Sequence, residues 1–193
     1  RPYQVDGFHF LAYLAANGFG GILADDMGLG KTVQSLAWLL WLRSLPGNEG
    51  RPSLVVCPKS VIDVWADEAA KFAPALRLRI PRTGDPVPGE GHLGEADLFV
   101  LNYAQLRIQA DVLERVPWLA VILDEGQQIK NPDSKAARVS RQLKADHRLV
   151  LTGTPIENRL LDLWSLMAFS MPGVLGNRAY FSKRFDRRKD ADA

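Results

Sequence analysis

The sequence predicts an α/β fold, a three-layer α/β/α sandwich around a mainly parallel sheet. Three observations predict it. Short apolar runs recur along the chain, stretches of helical length and pattern separate them, and a glycine-rich turn joins the first run to the stretch that follows it. Several runs, among them "SLVVC" at 53–57 and "LFVLN" at 98–102, lack polar alternation. Both faces of such a strand must be covered, as in parallel sheets packed between helices.

In chain order, Phe8, Leu11, Leu14 and Ala15 share one face of a first helix, and Gly18 stands where its C-cap would fall. "GGILA" at 20–24 is the first strand and "KTVQSLAWLLWLRSL" a second helix, whose Trp38 and Trp41 read as core rather than as base-stacking groups. "SVIDVWADEAAKF" follows the "SLVVC" strand, with Ser60 placed to cap it. "LRLRI" at 76–80 alternates like an edge strand, and the Pro- and Gly-rich stretch 81–96 reads as a loop. "LAVILDE" at 119–125 is a buried strand. "NPDSKAARVSRQLK" reads as a helix with Asn131 as N-cap and Pro132 at its first position. "RLVLT" at 148–152 and the helix "ENRLLDLWSLMAF" complete the pattern, with no repeat and no linker to divide it.

The bulk numbers agree with one globular domain. The chain has 193 residues, 47% hydrophobic and 24% charged, enough to bury a real core. A net charge of +2 means that any nucleic-acid surface is local. Cys57 is the one cysteine, so no internal disulfide forms, and a reducing, cytoplasmic setting is expected. No apolar run reaches the roughly 18 residues of a membrane span. His9, His92 and His147 lie far apart and give no metal-site spacing. The abrupt ends, "RPYQVDG" and "RRKDADA", and the lack of a signal peptide read as a fragment of a longer protein.

The glycine-rich turn carries the chemistry. "DDMGLGKT" at 25–32 ends as a phosphate-binding loop of the form G-x-x-x-x-G-K-[ST] ends, although Asp25 holds the place of the first glycine. In a strand–turn–helix setting, backbone N–H groups and the helix N-terminus converge on phosphate oxygens. Gly28 and Gly30 allow close approach, Lys31, its ammonium turned to solvent, would reach the β- and γ-phosphates, and Thr32 would hold Mg²⁺ through its hydroxyl. Such a loop needs an acid pair at the end of a neighbouring strand. Asp124, for Mg²⁺, and Glu125, for the attacking water, supply it.

At this point the chain resembles the Swi/Snf-type branch of the superfamily-two helicase-like ATPases, over nearly its whole length and in that family's motif order. "RPYQ" looks like the upstream adenine-reading element, with Gln4 as the contact. "DDMGLGKT" looks like motif I, whose first position is commonly acidic, so that Asp25, Asp26, Met27, Gly28, Leu29, Gly30, Lys31 and Thr32 are the implied ATP-binding residues. "VVCPKSVIDVW" looks like motif Ia and "VLNYAQL" like motif Ib. "DEGQ" looks like motif II, the DEAH box, with Gln127 in place of His and Gly126 before it. "LTGTPIEN" at 151–158 looks like motif III, so Thr152, Gly153 and Thr154, with Gln127, are implied to couple hydrolysis to movement. The wording is most like that of bacterial or archaeal members.

The resemblance implies a RecA-like P-loop lobe spanning residues 1–193, a second RecA-like lobe elsewhere in the same protein, and ATP and Mg²⁺ as substrate and cofactor. No match to the second lobe's arginine fingers is present, Arg159 included, so slow turnover is expected from this lobe alone. It also implies double-stranded DNA, tracked by its phosphates. Lys59 and Ser60, Asn102 and Tyr103, and Lys130 and Lys135, with Arg138 and Arg141 beside them, are the expected contacts. The implied function is a duplex-DNA-stimulated ATPase that remodels protein–DNA complexes on the nucleoid, with DNA-bound proteins or RNA polymerase as targets. An RNA-directed helicase lobe, or a nucleotide-binding module with little turnover, are the alternatives.

Overall fold

Along β2 (Ser53–Cys57), Leu54 and Val56 point into one helix layer while Val55 and Cys57 point into the other. The same division repeats in β4 (Leu98–Asn102) and β5 (Trp118–Leu123), which is why these runs carry no polar alternation. The computed structural model describes residues 1–26, 28–82, 85, 94–155 and 160–185. With β1 (Gly21–Leu23), β3 (Leu78–Arg79) and β6 (Ala145–Leu151), the strands form one six-stranded sheet in the order β1-β6-β5-β2-β4-β3. All five pairings are parallel.

Helices α1 (Pro2–Ala16), α2 (Lys31–Ser44) and α3 (Ile62–Phe72) cover one face. The short α4 (Tyr103–Ile108) and α5 (Ala110–Leu113), with α6 (Lys135–Gln142) and α7 (Leu160–Ser170), cover the other, and α8 (Arg178–Phe185) packs on α7. Trp38 is buried and Trp41 packs edge-on against Phe8, so both belong to packing. No helix among the described residues is long and apolar enough to cross a membrane.

Several local expectations are corrected. Helix α6 starts one turn later than the proline suggested. Ser134 is its N-cap, accepting from Ala137 N at 3.1 Å, whereas Asn131 Oδ1 accepts from Asp133 N at 3.0 Å in a preceding turn. Ser60 caps nothing: it lies inside a 3₁₀ turn, Lys59–Val61, and α3 begins without a side-chain cap. Strand β6 begins at Ala145, because Trp118 pairs with it and extends the ladder through polar residues. The stretch after β4 is helical because Asn102 and Gln105 form a reciprocal capping box. The loop 81–96 is described only at its ends and at Asp85.

Since every pairing is parallel, the C-terminal ends of the strands share one edge of the sheet. The loop after β1, the turns after β2 and β4, the acid pair after β5 and Thr152 after β6 all open there, where α/β sheets place their ligands.

Candidate functional site

The loop leaving β1 takes positive φ at Gly28 (82°) and Gly30 (80°), a conformation costly for any residue with a Cβ. A Cβ on Gly30 would also run into Gln4 Nε2, and that amide donates to Leu29 O at 3.3 Å. Gln4 therefore packs on the loop itself. Asp25, in the place of a glycine, accepts a long 3.4 Å contact from Gln34 Nε2, which lies one turn into α2. Lys31 and Thr32 open α2. The Lys31 ammonium is not turned to solvent. It folds back to donate to Asp25 O at 2.6 Å and Asp26 O at 3.0 Å. Asp26 is exposed, and Met27 lies outside the described residues.

Two strands away, β5 ends in Asp124 and Glu125. Asp124 is 7% exposed and held from three directions. Trp65 Nε1 donates to its Oδ2 at 2.9 Å, Glu125 N to its Oδ1 at 2.8 Å, and the Tyr103 hydroxyl to its backbone carbonyl at 2.8 Å. Burial pushes the Asp124 carboxyl above its usual range and Glu125 adds to this, while the Trp65 and backbone bonds and the Lys31 ammonium oppose it. Loop and acid pair thus lie within electrostatic reach of each other.

Glu125 is the one described non-glycine residue with positive φ, 52°. Such backbone costs on the order of 1–3 kcal/mol and gathers at working sites. Its Oε2 accepts from Gln127 Nε2 at 2.8 Å, and Thr152 Oγ1 makes a long 3.5 Å contact to Gln127 Oε1. Gln127 thus stands between the acid pair and the loop after β6, where Thr152 is buried and its hydroxyl accepts from Thr154 N at 3.1 Å across Gly153. Gly126 is glycine because a Cβ there would meet Val150 Cγ1 on β6. Residues 156–159, the rest of the motif III match and Arg159, lie outside the described residues.

One group was missed from sequence. Trp65 enters only as the last residue of the motif Ia match and Glu68 is not singled out, but both turn toward the acid pair and the loop. The Thr32 hydroxyl reaches Glu68, and Glu68 Oε2 is buried without a hydrogen-bond partner among the described residues. Burial raises the Glu68 carboxyl, against the Thr32 hydroxyl and Lys71, with Asp124 adding to the rise.

The expected DNA contacts divide. Lys59, Ser60 and Lys135 are exposed. Lys59 borders a groove of about 510 Å³ whose lining includes Pro58, Asn102, Gln105 and Gln128. Lys135 and Arg138 border another, on α6. Asn102 Oδ1 is engaged in capping, at 3.0 Å from both Ala104 N and Gln105 N. Tyr103 is buried, its hydroxyl spent on Asp124, and Lys130 is only 8% exposed. These last two do not present their polar atoms on the surface as Lys59 does.

A six-stranded parallel sheet with its loop and acid pair at one edge is a RecA-like lobe. The SNF2-related domain family matches residues 3–193, and the chain belongs to that family. It is 40% identical over 188 residues to YwqA of Bacillus subtilis, named as a candidate ATP-dependent helicase/translocase, covering 96% of this chain and 20% of that one. It is 40% identical over 197 residues to the TATA-binding protein-associated factor MOT1 of Saccharomyces cerevisiae, covering 96% of this chain and 11% of the relative. The Sulfolobus solfataricus SWI2/SNF2 ATPase core in complex with double-stranded DNA superposes with a TM-score of 0.87 at 42% identity, over 96% of this chain and 38% of that one. The chain spans a fifth or less of the two curated relatives' length.

Proposed function

We propose that the chain is the first, ATP-binding lobe of a duplex-DNA-stimulated ATPase that moves on DNA and remodels protein–DNA complexes. The observation that carries this reading is the meeting of Lys31 and Thr32 with Asp124 and Glu125 at one edge of the sheet. Lys31 would neutralise the β- and γ-phosphates. Glu125, its Oε2 held by Gln127, would orient water through its other oxygen and take the proton as the water attacks.

The site suits a divalent cation. Two carboxyl groups, Asp124 and Glu68, are raised by burial, one of them with a buried oxygen that has no hydrogen-bond partner among the described residues, and the cations acting on them are Lys31 and Lys71. Thr32 and Asp124 would hold Mg²⁺, which takes one or two carboxylates with substrate phosphates and water rather than an all-protein cage. When bound, the ion neutralises phosphate charge.

Duplex DNA would lie against the groove beside Lys59 and near Lys135, held through phosphates. The 3₁₀ turn Gly126–Ile129 supports a link between the two sites: Gln127 faces Glu125 while Gln128 lines the groove. The Sulfolobus relative, solved on double-stranded DNA, supports the partner, and the association of MOT1 with TATA-binding protein supports a DNA-bound protein as the target. A second lobe in the same protein would supply the arginines that complete the site.

Phosphate release by the full-length protein tests this reading. Duplex DNA should stimulate it, single-stranded RNA should not, and Lys31→Ala should abolish ATP binding or turnover while leaving the melt unchanged. Unchanged affinity and turnover in Lys31→Ala would refute it.

A further inference from the structure

The clearest use of side chains left unexplained by the proposed reaction lies behind the site, on α3. Trp65 is fully buried, and a buried indole N–H takes whichever acceptor its surroundings offer. Here the acceptor is not a backbone carbonyl but the Oδ2 of Asp124, at 2.9 Å. One helical turn on, at the i+3 spacing that places side chains on one face, stands Glu68. Its carboxyl reaches the Thr32 hydroxyl, and its Oε2 is buried with no partner among the described residues. A single turn of α3 therefore faces both groups that would hold the cation, bonded to the one after β5 and within reach of the one on α2.

We propose that Trp65 and Glu68 are positioning residues that set Asp124 and Thr32 in the orientation a divalent cation needs. The inference rests on the nucleotide reading of this edge and adds to it what fixes its metal affinity. The indole N–H occupies one lone pair of Oδ2 and stops the carboxylate from rotating, which leaves the remaining lone pairs facing outward. Glu68 accepts a hydrogen bond from the Thr32 hydroxyl, so the oxygen of that hydroxyl presents its lone pairs away from α3. No three His, Cys, Asp or Glu side chains among the described residues converge as a metal cage. With so few direct donors, affinity depends strongly on how each is aimed, and removing an orienting partner typically costs about 10- to 100-fold in metal affinity.

The test uses the full-length protein with Mn²⁺ as the probe. Free Mn²⁺ is read by electron paramagnetic resonance in the presence of a slowly hydrolysed ATP analogue, and nucleotide affinity is measured separately in chelator. Glu68→Gln and Trp65→Phe should each weaken Mn²⁺ binding by about 10- to 100-fold. Metal-free nucleotide affinity should not change, which a merely structural role for α3 would not produce. Trp65→Phe leaves a void in the core, so Glu68→Gln, nearly isosteric and on a half-exposed residue, decides the matter if the other variant fails to fold. Unaltered Mn²⁺ affinity in folded Glu68→Gln overturns the proposal. A parent protein that binds no nucleotide, with or without Mn²⁺, overturns instead the nucleotide reading on which it rests.

Discussion

The two ends of the sheet treat their carboxylates in opposite ways. At the N-terminal end, burial alone would raise Asp97, yet Arg77 bonds to both of its oxygens, and the charges of Arg43 and Arg77 bring its carboxyl below the usual range. Arg51 likewise pairs with Asp146 at 2.5 Å, and the Asp146 carboxyl is lowered chiefly by that bond. At the C-terminal end, Asp124 and Glu68 are raised by burial, and among the described residues no bound arginine offsets it. The chain neutralises its own charges where it needs only to hold together. Where Lys31, Thr32 and the acid pair meet, burial raises the carboxyls instead, and on the proposed reading a bound cation would match them.

Substitutions at the two ends should therefore move different quantities. The largest expected effect concerns completeness of the C-terminal edge. Arginine fingers in P-loop enzymes are worth about 10³ to 10⁵ in rate, or roughly 4 to 7 kcal/mol at 1.36 kcal/mol per tenfold. The 193-residue chain should hydrolyse ATP slower than the full-length protein by a factor in that range. Duplex DNA should raise its rate little. Brisk, DNA-stimulated phosphate release by the chain alone would break the half-site account.

Next comes the opposite end. Asp97→Asn should leave ATP binding intact and lower stability by about 1–3 kcal/mol at neutral pH, the scale for disturbing charge-assisted hydrogen bonds at a buried carboxylate whose arginine partners face solvent. The sign of its pH dependence follows from the lowered carboxyl. The stabilisation is fully present above the unfolded value of about 3.9 and is lost as pH falls through the folded value. Melts of parent and variant should therefore differ most above about pH 4 and converge below it. A gap that widens in acid would contradict the pairing.

A smaller effect separates capping from DNA contact. Asn102→Ala should cost about 1 kcal/mol of stability through the lost N-cap, and duplex affinity should change little in the folded variant. The smallest change is the most diagnostic of the groove. Lys59→Glu should weaken duplex binding a few-fold at moderate salt, equally for all sequences, and flatten the log-affinity against log-salt slope by about 0.9. A loss confined to some sequences would contradict phosphate contact.

Much of this architecture was legible in the sequence because it rests on patterns that a single strand or turn carries. Apolar runs covered on both faces gave the sheet, and the glycines of the loop and the adjacent acids marked the C-terminal edge before any contact was known. What escaped was whatever depends on two distant segments. Trp65 closes the motif Ia match and Glu68 looks like any helix residue, and neither shows what it touches until α3 is laid against β5. Tyr103 reads as a surface aromatic at a strand end until its hydroxyl is seen on Asp124. Lys130 reads as part of a basic cluster, although it is buried where the turn that follows the acid pair ends. The capping errors are local competitions. Asn131 and Ser134 both suit an N-cap, and Asn131 closes the earlier turn while Ser134 takes the helix. Asn102, with a glutamine three residues on, was a capping box read instead as a nucleic-acid contact.

The central claim is that the carboxylates gathered at the C-terminal edge serve nucleotide chemistry rather than stability. The most direct measurement compares Glu125→Gln with Asp124→Asn in the full-length protein with duplex DNA, reading ATP affinity, Mg²⁺ dependence and phosphate release. The account predicts a split. Glu125→Gln should keep ATP binding and slow hydrolysis by roughly a hundredfold or more, the scale of a lost general base. Asp124→Asn should raise the Mg²⁺ concentration needed for half-maximal binding or turnover. Equal, mild losses from both, tracking a lowered melt, would contradict it and leave the acid pair a structural strand end.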